Sequence, residues 1–174
     1  MIEIFDLFIR TNITTDEEQI SQIKKVFSFR QFNRHELILV ADEVCSNFYF
    51  IAKGGVRIYF LTPNGQEKTR FITLDNSIIT SLSSFITKQP SVEYLETIDV
   101  TQVFTVDYDG FFYLVNNSLA WERFYRKILE TAYLVQTKRI EIRTTMSAKQ
   151  RFEWLINENR NYCNVCQIEY LLHI

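Results

Sequence analysis

The sequence predicts an α+β protein in which a sandwich or barrel of short strands is set between helical segments. Three observations predict it. From Phe29 to Val106 the chain is a series of short aromatic and β-branched stretches separated by turn signals. Ahead of them lies a stretch with a helix-start pattern, and behind them an apolar seam at helical spacing runs from Trp121 to Ile142.

In chain order, TTDEEQISQIKKVF opens on Thr15 as a helix N-cap, with Glu18 placed to complete a capping box. Ile20, Ile23 and Phe27 then recur on one face, which predicts a short amphipathic helix. The stretches FRQF, HELILV, NFYFIA, VRIYFL, KTRFITL, VEYLETI and TQVFTV read as strands. Gly54-Gly55, Thr62-Pro63-Asn64-Gly65 and Lys88-Gln89-Pro90 mark the clearest breaks between them. After Asp107 the period becomes helical, first in YDGFFYLVNN and then in SLAWERFYRKILETAYLVQTKRIEIRTTM. In the second stretch Trp121, Phe124, Ile128, Ala132, Val135 and Ile142 recur at spacings of three, four or seven. So long a seam exceeds what the end of one small β-domain covers. Packing against a partner helix is therefore expected, in a homodimer with Trp121, Phe124, Ile128 and Val135 at the interface. A last helical stretch, SAKQRFEWLINEN, precedes RNYCNVCQIEYLLHI.

Composition bounds the function. With 174 residues, 47% hydrophobic and 15% aromatic, the chain buries a real core, and fifteen Phe and nine Tyr supply much of it. Four Gly and two Pro exclude a low-complexity chain. The net charge of −2 gives no global reason to expect nucleic acid. It is uneven, however: between Trp121 and Arg151 eight basic residues face three acids, a local balance of +5. Such residues form a solvated helix face or a phosphate-facing surface. MIEIFDLFIR carries acids at positions 3 and 6 and is too broken for a signal peptide. No stretch approaches the roughly 18 to 20 apolar residues that cross a bilayer. A cytoplasmic protein without membrane contact is expected, and the three cysteines fit a reducing compartment.

This order of elements, with FIAKGGVRIYFLTPNGQEK, a Ser/Thr-rich stretch ending in a Pro-containing turn, the seam helix and then SAKQRF, resembles the Crp/Fnr (catabolite-activator) family of transcription regulators. The resemblance runs from Asp16 to the end of the chain. It implies a cyclic-nucleotide-binding-domain-like β-roll (double-stranded β-helix) over 1–116, a dimerisation helix over 117–145, and the start of a helix-turn-helix domain over 146–174. It also implies an allosteric effector pocket, lined by Thr80, Ser81, Leu82, Ser91 and Val92, with Gln136 and Thr137 approaching from the seam helix.

Two departures qualify that resemblance. Family members that hold cyclic nucleotides use a Gly-Glu-Leu triplet for the ribose and an Arg-Ser or Arg-Thr pair for the phosphate. Here the triplet aligns with Thr80, Ser81 and Leu82, and the pair with Ser91 and Val92. The carboxylate and the guanidinium are both absent from those positions. A charge-assisted bond to phosphate contributes roughly 1.5 to 3 kcal/mol, and a Ser hydroxyl contributes less. Lys88 offers only a point charge. A cyclic nucleotide is therefore not expected to bind in the usual way, and the remaining hydroxyls suit an uncharged or weakly polar effector, or none. The second departure is that CQIEYLLHI matches the first helix of the helix-turn-helix, and no turn or recognition helix follows it. DNA contact is expected only through a domain missing from this chain, as in a truncated form of a longer regulator.

Other constellations carry less. Cys163 and Cys166 have ligand spacing, but Cys45, His35 and His173 are far from them in sequence, and no metal or cofactor is expected. Cys45 reads as a buried structural thiol, and no residue reads as catalytic. The expected function is the effector-sensing and dimerising portion of a Crp/Fnr-like regulator, the alternative being a ligand-free dimerisation or protein-interaction module.

Overall fold

The structure, a computed structural model, describes residues 1–158. Among them α1 (Ile2–Asn12) and α2 (Glu17–Val26) precede β1 (Ser28–Phe32), β2 (Leu37–Leu39), β3 (Asn47–Lys53) and β4 (Gly55–Leu61). Then come β5 (Glu67–Leu74), β6 (Ser77–Ile79), α3 (Leu82–Thr87), β7 (Tyr94–Thr97) and β8 (Thr101–Asp107). The chain continues through α4 (Tyr108–Asn117), α5 (Leu119–Thr145) and α6 (Ala148–Glu158). The Cys163-x-x-Cys166 pair and the CQIEYLLHI stretch lie outside the described residues.

The strands form two four-stranded sheets, ordered β1-β8-β3-β6 and β2-β7-β4-β5, and every pairing is antiparallel. This is the α+β roll expected from the sequence. Inward-facing aromatics fill it because alternate strand residues point to one side. Phe5 stacks on Phe104 at 4.4 Å, and Phe111 meets Phe48 at 4.9 Å and Trp121 at 5.4 Å. Gly54 joins β3 to β4 at φ +100, where a Cβ would stand 2.6 Å from Thr101 Oγ1, so only glycine fits there.

Three local readings change. MIEIFDLFIR forms α1, whose Phe5 and Ile9 are buried. The cap of α2 is Asp16, one residue beyond Thr15, and it accepts from Gln19 N at 2.9 Å. The short strand β6 opens the Ser/Thr-rich stretch by pairing Ser77–Ile79 with β3. Ser118 caps α5 by accepting from Trp121 N at 3.2 Å, and it donates to Gln19 Oε1 at 3.0 Å. That contact ties the start of α5 to α2. No helix among the described residues is long and apolar enough to cross a membrane.

Candidate functional site

A cavity of about 1170 Å³ lies between the roll and α5. The roll contributes β5, β6 and α3, through residues such as Phe71, Ile78, Thr80, Leu82 and Ile86. Helix α1 adds Phe8, and α5 adds Phe124, Ile128, Ala132, Val135 and Gln136. Pockets that hold small molecules share this character, apolar walls with a few placed polar groups. Arg70, Lys127 and Arg139 are the charged residues of its lining; no Asp or Glu among the described residues reaches it. Arg139 lies over the Phe71 ring at 4.8 Å. Burial, and then the positive charge of Arg143, pull the Arg70 pKa below the usual guanidinium value. Thr73 also lines the cavity, and its buried hydroxyl has no partner among the described residues.

Beside the cavity sits a second, closed arrangement. Glu93 is buried, and Arg70 Nη1 ion-pairs with its Oε1. Ser81 Oγ donates to Glu93 Oε2 at 2.8 Å and lies 3.1 Å from Ser91 Oγ. Ser91 Oγ accepts from Glu93 N at 3.0 Å and is 3.1 Å from Glu93 O. Each hydroxyl has one proton to donate, so these contacts use the hydrogen-bonding capacity of both serines inside the fold. Their neighbours are spent in the same way. Thr80 Oγ1 donates to Asn47 O at 2.9 Å, and Ser84 Oγ donates to Gln89 O at 2.6 Å. Lys88 sits in the left-handed region at the end of α3, with its ammonium 3.7 Å from the centre of the Tyr108 ring.

The model of the cyclic nucleotide-binding domain matches residues 29–118, just over half of the chain. The chain belongs to that family. No curated protein sequence matches it. Among solved structures, the catabolite activator protein of Thermus thermophilus is similar at TM-score 0.65 and 13% identity, over 84% of this chain and 68% of that one. The sensor domain of the transcriptional regulator DNR from Pseudomonas aeruginosa is similar at TM-score 0.61 and 18% identity, over 80% and 89%. A putative Crp/Fnr-family transcriptional regulator from Eubacterium rectale is similar at TM-score 0.68 and 15% identity, over 87% and 70%. At such identities the likeness is one of fold.

Within this cyclic nucleotide-binding domain the seven expected pocket residues do not converge. Thr80, Leu82 and Gln136 line the cavity. Ser81 and Ser91 are 2% and 3% exposed and face Glu93, whereas Val92 is 72% exposed. Thr137 is exposed, its hydroxyl donating to Tyr133 O at 3.0 Å within α5. Sequence reasoning missed Glu93 and Arg70, although VEYLE places an acid two residues after Ser91.

The four residues expected at a dimer interface take different places within the chain. Trp121 and Phe124 are buried in the chain's own core, against Phe27 at 5.7 Å and Phe8 at 5.8 Å respectively. Ile128 and Val135 line the cavity. The expected seam thus faces the roll, because heptad spacing marks an apolar face without naming its neighbour. Tyr133, Leu134 and Ile140 are 72%, 65% and 67% exposed, Tyr133 while also reaching the edge of the cavity. The basic residues of α5 divide as well, with Lys127 and Arg139 at the cavity, and Arg126 and Lys138 paired to Glu130 and Glu141.

Proposed function

We propose that this chain is the effector-sensing and dimerising portion of a Crp/Fnr-like transcription regulator, without catalytic activity. Its effector sits in the cavity between roll and α5, and cyclic nucleotide is not held in the usual way. The observation that carries this reading is the Glu93 carboxylate among Ser81, Ser91 and Arg70. Of the two serines aligned with the ribose and phosphate anchors, Ser81 already serves a negative charge of the protein's own and Ser91 is held by Ser81 and the Glu93 main chain, so a phosphate would meet that charge. The cavity beside them remains open, and it joins the roll to the helix that carries the output. An effector there acts by favouring one pose of α5 over another, which requires different affinities for the two. We assign 1–116 to the sensor, 117–145 to the dimerisation helix and 146–174 to the beginning of the output domain.

Dimerisation through α5 is supported by the exposed Tyr133 and Ile140, which lie two turns apart on one side of the helix. The same exposed residues would serve the second reading, an interaction module without a ligand. Calorimetric titration with cyclic AMP and cyclic GMP tests the main reading. Neither is expected to bind tighter than about millimolar, roughly 4 kcal/mol of standard free energy. A micromolar, saturable isotherm with either nucleotide would overturn it.

A further inference from the structure

We propose that the ligand of this cavity is an uncharged, mainly apolar molecule that offers one hydroxyl or carbonyl oxygen to Thr73. The inference rests on the reading of the cavity as an effector pocket and names the class of effector. The first support is Thr73 itself. It is 5% exposed, it lines the cavity, and its hydroxyl has no hydrogen-bond partner among the described residues. Thr69 Oγ1 and Trp121 Nε1 are also buried without such a partner, but neither residue lines the cavity. In the β4–β5 ladder Thr73 pairs with Val56 and Phe71 with Ile58, so the two β5 residues share one face of the sheet. Phe71 and Ile58 line the cavity as well. A buried hydroxyl left unmet costs stability, and a ligand oxygen in the cavity would complete it. A threonine exchanges its hydroxyl and methyl positions by one step between staggered χ1 wells, so the group can turn to such a ligand.

The second support is that the other polar groups of the lining are engaged. The charge of Arg70 is met by Glu93, and Arg139 packs over the Phe71 ring. Thr80 Oγ1 donates to Asn47 O at 2.9 Å, and Asn12 Nδ2 donates to Phe8 O at 3.0 Å. Lys127 is exposed, and an ammonium in solvent adds little to an ion pair. A charged head entering this cavity would lose its water without a matching partner, which a neutral ligand avoids.

The third support is the character of the walls. Ile78, Leu82 and Ile86 line the cavity from the roll, and Ile128, Ala132 and Val135 line it from α5. Such walls gain from an apolar body, and one hydrogen bond at Thr73 fixes its orientation.

Calorimetry with decanol and with decanoate, which have the same chain length, tests the proposal beside urea unfolding of the free protein. Decanol is expected to saturate one site per chain and to bind at least about tenfold more tightly than decanoate, whose charge the lining does not meet. Thr73→Val, which keeps the shape and removes the hydroxyl, should weaken decanol about fivefold, the effect of one net hydrogen bond. The same variant should leave the urea midpoint of the free protein unchanged or raised, because the lost group has no partner among the described residues. Thr73→Ser, which keeps the hydroxyl, should bind decanol within about twofold of the original chain. Decanol affinity unchanged by Thr73→Val, a lowered midpoint in that variant, or decanoate binding as tightly as decanol would each overturn the proposal. If Ala132→Trp, which fills the cavity beside α5, then still blocks the molecule that binds, the effector pocket stands while its assigned ligand class falls. If neither molecule binds, the proposal also fails, and the cyclic nucleotide titration above judges the broader reading on its own.

Discussion

Glu93 is a carboxylate placed where the sequence leads one to look for a ligand's anion. Its burial is tolerable because Arg70 neutralises it and Ser81 gives it a hydrogen bond. Removing it leaves an uncompensated guanidinium and the Ser81 hydroxyl facing a small void. Arg70 is itself 33% exposed, so solvent screens part of the loss. Glu93→Ala is therefore expected to lower stability by about 2 kcal/mol, less than the full cost of breaking a wholly buried pair. Formate, a carboxylate small enough for the void, should restore part of that loss in urea unfolding, and the same concentration of chloride should not. Equal recovery with chloride, or no loss on mutation, would show that the carboxylate is not held as a charge.

Two elements carry predictions of their own. Helix α1 is fastened by Asp6, whose carboxylate ion-pairs with Lys24 of α2 and accepts from Arg10 Nε at 2.6 Å. These hydrogen bonds, Lys24's the larger, hold the Asp6 carboxyl below the usual carboxylate range. A carboxyl with a lowered folded pKa stabilises the fold above its unfolded value, and that contribution disappears as pH falls through the folded value. The loss should therefore begin near pH 4, the ordinary value for aspartate. Asp6→Asn should flatten the acid limb of the stability curve below that pH while leaving its shape near pH 9 unchanged. An acid limb with the same slope in both proteins would refute the assignment. For α5 the direction of its faces gives the test. Ile140→Glu places a charge on the exposed side and should shift a dimer to monomer in sedimentation. Ile128→Glu, pointing into the cavity, should weaken ligand binding and leave assembly intact. The reverse pattern would return the interface to the cavity side.

At the scale of the whole molecule, the roll was legible because strand alternation and turn residues are local signals. The seven strand-like stretches all contain strands, and the long helix follows from its seam. What escaped depended on distance. Helix α1 has no side-chain cap at Met1, and its apolar residues acquire meaning only when Phe5 meets Phe104, almost a hundred residues away. The strand β6 includes two strong strand formers, Ile78 and Ile79, but three residues are too short a run to show a period, and the strand is defined by its pairing with Tyr49, Phe50 and Ile51. The seam of α5 runs against the chain's own roll at Trp121 and Phe124, and periodicity alone cannot tell that roll from a second copy. Arg70 and Glu93 stand 23 residues apart in the chain, and nothing local couples them.

The strand pairings also dictate an order of assembly. Val56 pairs with Thr73 in the β4–β5 hairpin, Leu37 pairs with Glu96 outside it, and Ser28 pairs with Thr105 outside that. Most of the ladders are thus nested around the Thr62–Gly65 turn, and each outer pair closes a loop that the inner pairs have already shortened. The inner hairpin is the cheapest nucleus, and the outermost ladder needs residues as late as Thr105. A growing chain would therefore hold the partner surfaces of β1, α1 and α2 exposed until β8 arrives, as is usual for slow folders of high contact order. Substitutions in the β4–β5 hairpin should slow folding, with φ-values well above those in β1. Equal φ-values in both places would mean that the roll closes by some route other than zipping outward from its central turn.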